Sequence, residues 1–148
     1  MTRIGDIWVE HHGEGPAVLL LGGLGDTVES WQLQLDALAD RFTGKVGDTA
    51  GAVTPEQAKD AARTCALNAL AAVAAEAGGL DHVVRVVKVT GFVASEPAFT
   101  GQPGVVNGAS EILGEIFGDA GRHARSAVGV AALPLDAPVE VEIVVAVR

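Results

Sequence analysis

The chain has 148 residues, of which 49% are hydrophobic and only 4% aromatic, and its formal net charge is −9. That length suffices for one domain with a core of small and branched aliphatics, without help from disulfides or metal. The acidic balance opposes binding to nucleic acid or to an anionic membrane, because affinity for a polyanion depends on neutralising its phosphates.

A single cysteine, Cys65, excludes an internal disulfide and has no neighbouring cysteine with which to build a metal site. It lies in "ARTCALNAL", where a buried, inert thiol is the simplest reading. The opening "MTRIGDIWVEHHG" lacks the charged-then-apolar pattern of a secretory signal. No apolar run approaches the roughly 20 residues of a membrane-spanning helix. The expectation is a soluble, cytoplasmic protein with no metal or organic cofactor.

In chain order, "DIWVEHH" and "AVLLLGG" read as short strands joined by the turn-rich "GEGP". Residues 28–41 place Val28, Trp31, Leu35 and Leu38 on one helical face, with Thr27 as a candidate cap. Glycine and polar residues in "TGKVGDTAGAV" mark a loop. The strongest element follows in "TPEQAKDAARTCALNALAAVAAEAGG". Thr54 can cap it, Pro55 suits the first turn and Gln57 completes a capping box, while Gly78 and Gly79 stop it. Ala62, Cys65, Leu67, Leu70 and Val73 supply its apolar face. "HVVRVVKVTGFVA" is a β-branched strand. A helix within "QPGVVNGASEILGEIFGDAG" is expected to start around Asn107. Two further strands, "HARSAVGVAAL" and "PVEVEIVVAVR", flank a Pro-Asp turn. From residue 54 the order is helix, strand, helix, strand, strand, an α+β layer with its helices on one face of a sheet.

Residues 1–42 resemble the opening of an α/β-hydrolase: strand, Gly-Pro turn, strand, glycine turn, then a helix with an early Trp. In that family the glycine turn usually starts with His, and Gly22 stands in its place here. A serine hydrolase also needs G-x-S-x-G on a strand-to-helix elbow. The nearest candidate, "GASEI" at 108–112, lacks the final glycine, and spacing does not join His123 to a positioned Ser and Asp. Serine-hydrolase chemistry is therefore rejected. Gly22, Gly23 and Gly25 are read as turn residues, because "GGLGD" is too weak a phosphate motif. There is no internal repeat.

From Thr43 onward the ordered set "TGKVG", "VTPEQAKDAARTCALNALAAV", "LDHVVRVVKVTGFVASEPAFT" and "NGAS…FG…GRHARSAVG…LP…VEVE" resembles the RidA (YjgF) family of reactive-intermediate deaminases. The chain thus divides into a hydrolase-like fragment, 1–42, and a RidA-like domain, 43–148. The resemblance implies a chorismate-mutase-like α+β fold and a homotrimer with pockets between subunits. It implies that Arg125, at the start of the penultimate strand, grips the carboxylate of a small 2-imino or enamine acid. It further implies that Glu140 activates water, that Asn107 and Phe92 line the pocket, and that the backbone N–H of Ala127 adds a contact. A guanidinium suits the task, since it binds a carboxylate through two parallel bonds and stays charged at any working pH. Ala127 stands where some members carry a cysteine. The family's opening strands carry a Ser in an "SGQ"-like turn, whereas Leu21, Gly22 and Gly23 supply no hydroxyl.

Blander readings stand beside these. Arg125 and Glu140 can form a cross-strand ion pair, and Asn107 can cap a helix. Arg122 and His123 read as solvated or interfacial, His11 and His12 as loop residues, and Glu142 as a guard against edge pairing. The leading expectation is hydrolysis of small imino acids to 2-keto acids and ammonia. The alternatives are a non-catalytic trimer that binds small carboxylates or a protein, and a fusion product that has lost activity.

Overall fold

The computed structural model describes residues 43–50 and 52–148 in full and, before them, the backbone of residues 2–4, 7–9 and 17–20. The elements are β1 (Thr2–Ile4), β2 (Ile7–Val9), β3 (Ala17–Leu20), α1 (Pro55–Ala77), β4 (Val83–Ala94), α2 (Gln102–Phe117), β5 (Ala124–Val130) and β6 (Val139–Val147). The expected helix over 28–41, His11, His12 and the glycine turn at 22–25 lie outside the described residues.

Helix α1 begins where local chemistry dictates. The Thr54 hydroxyl accepts from the Gln57 N–H at 3.2 Å, and the Gln57 side chain accepts from the Thr54 N–H at 3.0 Å. Two of the unpaired donors at the helix start are thereby satisfied. At the other end Gly78 adopts the left-handed conformation and returns its N–H to Ala74. The buried face consists of Ala58, Ala61, Ala62, Cys65, Ala66, Leu70 and Val73. Leu67, expected on that face, is 43% exposed, because it sits off the stripe that Ala58, Ala62, Cys65 and Ala66 define.

Helix α2 starts five residues earlier than expected, at Gln102. Pro103 fits the first turn, and Gly101 precedes it without any side-chain cap. Asn107 is therefore inside the helix and not its cap. Against α1 the two backbones come close at Gly108, where an added Cβ would lie 2.0 Å from the carbonyl oxygen of Lys59. Two exposed ion pairs straddle this contact, Lys59–Glu111 at 2.9 Å and Arg63–Glu115 at 3.0 Å.

Among the described residues the main sheet has the order β3-β6-β4-β5. Strands β4 and β5 run parallel, with α2 as their crossover; β6 is antiparallel to both β4 and β3. The strands expected in "DIWVEHH" and "AVLLLGG" form, but not as a hairpin. β2 pairs with β1 in a separate two-stranded sheet, while β3 adds to the free edge of β6. Both helices share one face. Val86, Val89 and Val93 of β4 and Val139, Val141, Ile143 and Val145 of β6 join the α1 and α2 side chains in a single buried cluster. The segment expected as a loop before α1 is better ordered than its glycines suggest: Val46 is fully buried, and its backbone pairs with Ala94 and Glu96 at the end of β4.

Candidate active site

Arg125 is the second residue of β5, an edge strand of the sheet. Its register partner is Val89, and those of Ala127 and Gly129 are Gly91 and Val93. Val89 and Val93 point into the helix-side core, so alternation puts Arg125, Ala127 and Gly129 on that same side. Gly91 lets α2 settle there, since a Cβ on it would lie 2.3 Å from Val106. With Val106 against the strand, the neighbouring Asn107 and, one turn on, Ser110 meet the Arg125 head group.

The resulting contacts are directional. Arg125 Nη1 donates to Asn107 Oδ1 at 2.7 Å and to Ser110 Oγ at 3.3 Å. Ser110 Oγ lies 3.0 Å from His123 Nε2, and His123 Nδ1 lies 2.6 Å from the carbonyl oxygen of Gly121. A carbonyl only accepts, so in the neutral ring the proton resides on Nδ1. Nε2 then accepts from the Ser110 hydroxyl, which leaves Ser110 lone pairs for Arg125. The Gly121 carbonyl is held in turn by a tight turn, where a Cβ on Gly121 would come within 2.3 Å of Leu113 O. Arg125 is exposed, and among the described residues Nε and Nη2 have no partner and no carboxylate pairs with the guanidinium.

The other residues singled out in the sequence fall elsewhere. Phe92 pairs in register with Glu140 and with Val128. Past the register shift near Val86, Phe92 lies one and three positions from core-facing Val93 and Val89, Glu140 lies between Val139 and Val141, and Val128 between Ala127 and Gly129, which puts all three on the face away from the helices. Arg125 and Glu140 are thus two strands apart and point to opposite sides, with Cα atoms roughly 14 Å apart by strand spacing and rise. Because β4 lies between β5 and β6, the cross-strand ion pair does not form. Within the chain, Arg125, Asn107 and Ala127 cluster; Phe92 and Glu140 form a second group.

Cys65 is sealed beneath the sheet, its Sγ 3.8 Å from Val139 O. Burial pushes its thiol up to about 12, and the Glu140 carboxylate adds to the rise. This thiol is not a nucleophile at neutral pH. No group of three or more metal-ligating side chains occurs among the described residues. Ser110 and His123 are the members not expected in the site from the sequence: His123, expected to be solvated or interfacial, is half-buried and bonded at both ring nitrogens. Residues 21–23, where no hydroxyl was expected, lie outside the described residues. The Thr43-Gly44-Lys45 turn has the hydroxyl–glycine–long polar pattern, and Gly44 N–H binds Asp136 O at 2.9 Å.

The family described as Endoribonuclease L-PSP, which includes RidA and YjgF, matches residues 41–147. The chain belongs to the RidA (L-PSP) family. Protein TCP17 of Trypanosoma cruzi is 45% identical over 117 residues, which is 78% of this chain and 71% of that protein. Among solved structures, the protein Atu1372 of Agrobacterium tumefaciens, of unknown function, is 36% identical with a TM-score of 0.74, covering 95% of this chain and 82% of its own. A putative endoribonuclease from Shewanella oneidensis has the same fold at 22% identity, with a TM-score of 0.71 and coverage of 96% and 90%. The α+β reading of the RidA-like region, with helices on one face, is what the structure has. Among the described residues no helix is long and apolar enough to cross a membrane.

Proposed function

We propose that the protein is a RidA-like imine deaminase, hydrolysing small 2-imino or enamine acids to 2-keto acids and ammonia. One observation carries this reading. The Arg125 guanidinium is exposed and held by two neutral acceptors, and among the described residues no carboxylate pairs with it and its Nε–Nη2 edge has no partner. That edge fits a carboxylate through two parallel bonds.

With the carboxylate fixed there, the adjacent C=N carbon is the electrophile. Glu140 takes a proton from water as the water oxygen bonds to that carbon, and passes that proton to the nitrogen as the C=N π-bond opens. Glu140 then moves the carbinolamine's hydroxyl proton to the amine nitrogen as the C–N bond breaks, which releases ammonia and leaves the keto acid. Since Glu140 and Arg125 point to opposite faces of one sheet, the reading requires Glu140 from an adjacent protomer, with Phe92 beside it as pocket wall. A homotrimer with sites between subunits meets that requirement, and the Thr43 turn lies at the same end of the sheet as Glu140. The acidic composition supports a small-molecule substrate over RNA, despite the family's description.

The test is ammonia release from imines generated in situ by an amino-acid oxidase. Arg125→Ala is expected to lose essentially all of the stimulated rate; an unchanged rate removes Arg125 from the mechanism. The separation of Arg125 and Glu140 within a protomer favours one competing reading, a trimeric module that binds small carboxylates without turnover. Calorimetry with 2-ketobutyrate distinguishes the two, because binding without accelerated ammonia release supports the module.

A further inference from the structure

Building on that reading, we infer that Ser110 and His123 are positioning residues that determine which edge of Arg125 meets the substrate carboxylate. Nη1 carries two hydrogens and donates to two acceptors, Asn107 at 2.7 Å and Ser110 at 3.3 Å, and in this scheme one hydrogen goes to each. An end-on grip through Nη1 and Nη2 is therefore closed. The remaining edge, Nε with Nη2, binds the carboxylate side-on at one angle to the strand.

Ser110 can play this part only while its own proton points away from Arg125. His123 ensures that. With Nδ1–H given to the Gly121 carbonyl at 2.6 Å, Nε2 is an acceptor and draws the Ser110 hydroxyl proton toward itself across 3.0 Å. Without the ring the hydroxyl rotates freely, and its hydrogen can turn toward the guanidinium. The relay therefore has a direction, running from Arg125 through Ser110 and His123 to a backbone carbonyl that the turn at Gly121 holds in place. Because neither Ser110 nor His123 touches substrate in this scheme, their loss weakens ground state and transition state alike. The consequence is a raised KM with kcat nearly preserved.

The experiment measures KM and kcat for the imine assay, and the Kd of 2-ketobutyrate, in wild type, Ser110→Ala, His123→Ala, His123→Gln and Arg125→Ala. Ser110→Ala and His123→Ala are expected to raise KM and Kd about tenfold, the scale of one hydrogen bond to a charged group, with kcat within about twofold. His123→Gln keeps an acceptor near the Nε2 position and is expected to recover most of the loss. Wild-type KM and Kd in both alanine variants, with Arg125→Ala inactive, overturn this inference and leave the functional reading intact. An active Arg125→Ala overturns the functional reading itself. If His123→Ala fails to fold, Ser110→Ala decides alone, since alanine is the best residue for a helical position.

Discussion

Cys65 shows how a single residue's chemistry follows from its place in the fold. Its thiol is shut between α1 and β6, and burial, with the Glu140 charge adding to it, pushes its pKa up to about 12. An unfolded thiol ionises at about 8.5, so folding favours the protonated form. That contribution is present in full below the unfolded value and is lost as pH rises toward about 12. The denaturation midpoint of wild type is therefore expected to fall between pH 8 and 11 by more than that of Cys65→Ala; parallel curves would show that Cys65 does not couple to folding. Native protein at pH 8.5 is also expected to react with a thiol reagent far more slowly than protein unfolded in urea. Arg125 is the opposite case, a permanent charge kept at the surface by neutral tethers.

At the scale of elements, α1 and α2 owe their close approach to one missing side chain. Gly108→Ala places a Cβ 2.0 Å from a backbone oxygen, which cannot swing aside, so the helices must separate. Alanine's helix propensity favours the substitution by about 1 kcal/mol, but overpacking of this kind costs about 1–3 kcal/mol. Gly114 lies in the same helix, and a Cβ there meets nothing within 4 Å. The two substitutions are expected to have opposite signs in urea denaturation, Gly114→Ala stabilising by up to about 1 kcal/mol and Gly108→Ala destabilising. Equal effects would mean that the Gly108 contact is not close. The ion pairs flanking this seam add little. The bidentate bond to Arg63 holds the Glu115 carboxyl below its usual range, but both groups lie in solvent, where salt weakens them.

For the whole molecule, the two faces of the sheet set the question of assembly. The sheet face away from the helices carries Phe92, Glu140 and Val128, the last 42% exposed, while Arg125 lies on the helix side of the edge strand β5. If sites form between protomers, two inactive variants complement one another. Arg125→Ala and Glu140→Ala, unfolded together and refolded as a mixture, are expected to recover activity at about a quarter of the sites, the chance that an intact Arg125 meets an intact Glu140. No recovery, with each variant still trimeric, would exclude a shared site. Light scattering coupled to size exclusion checks the premise, with three 15.0 kDa chains expected per particle. Polydisperse aggregate would instead favour a fusion product whose sheet forms poorly.

What the residues determine unaided is local. Thr54, Pro55 and Gln57 start α1, and Gly78 ends it, because caps act between residues three or four apart. The β-branched runs at 83–94 and 139–147 are strands for similarly short-range reasons. Helix α2 lacked such a mark at its true start, since no side chain caps it, and its beginning was misplaced onto Asn107. Strand order lay beyond local signals. That β4 separates β5 from β6 is settled by long-range pairing, and this separation turns Arg125 and Glu140 to opposite faces. The Ser110–His123 relay has the same origin. It exists because Gly91 admits Val106 and Gly121 admits the end of α2, close approaches that depend on how packed elements meet and leave no spacing in the chain to read.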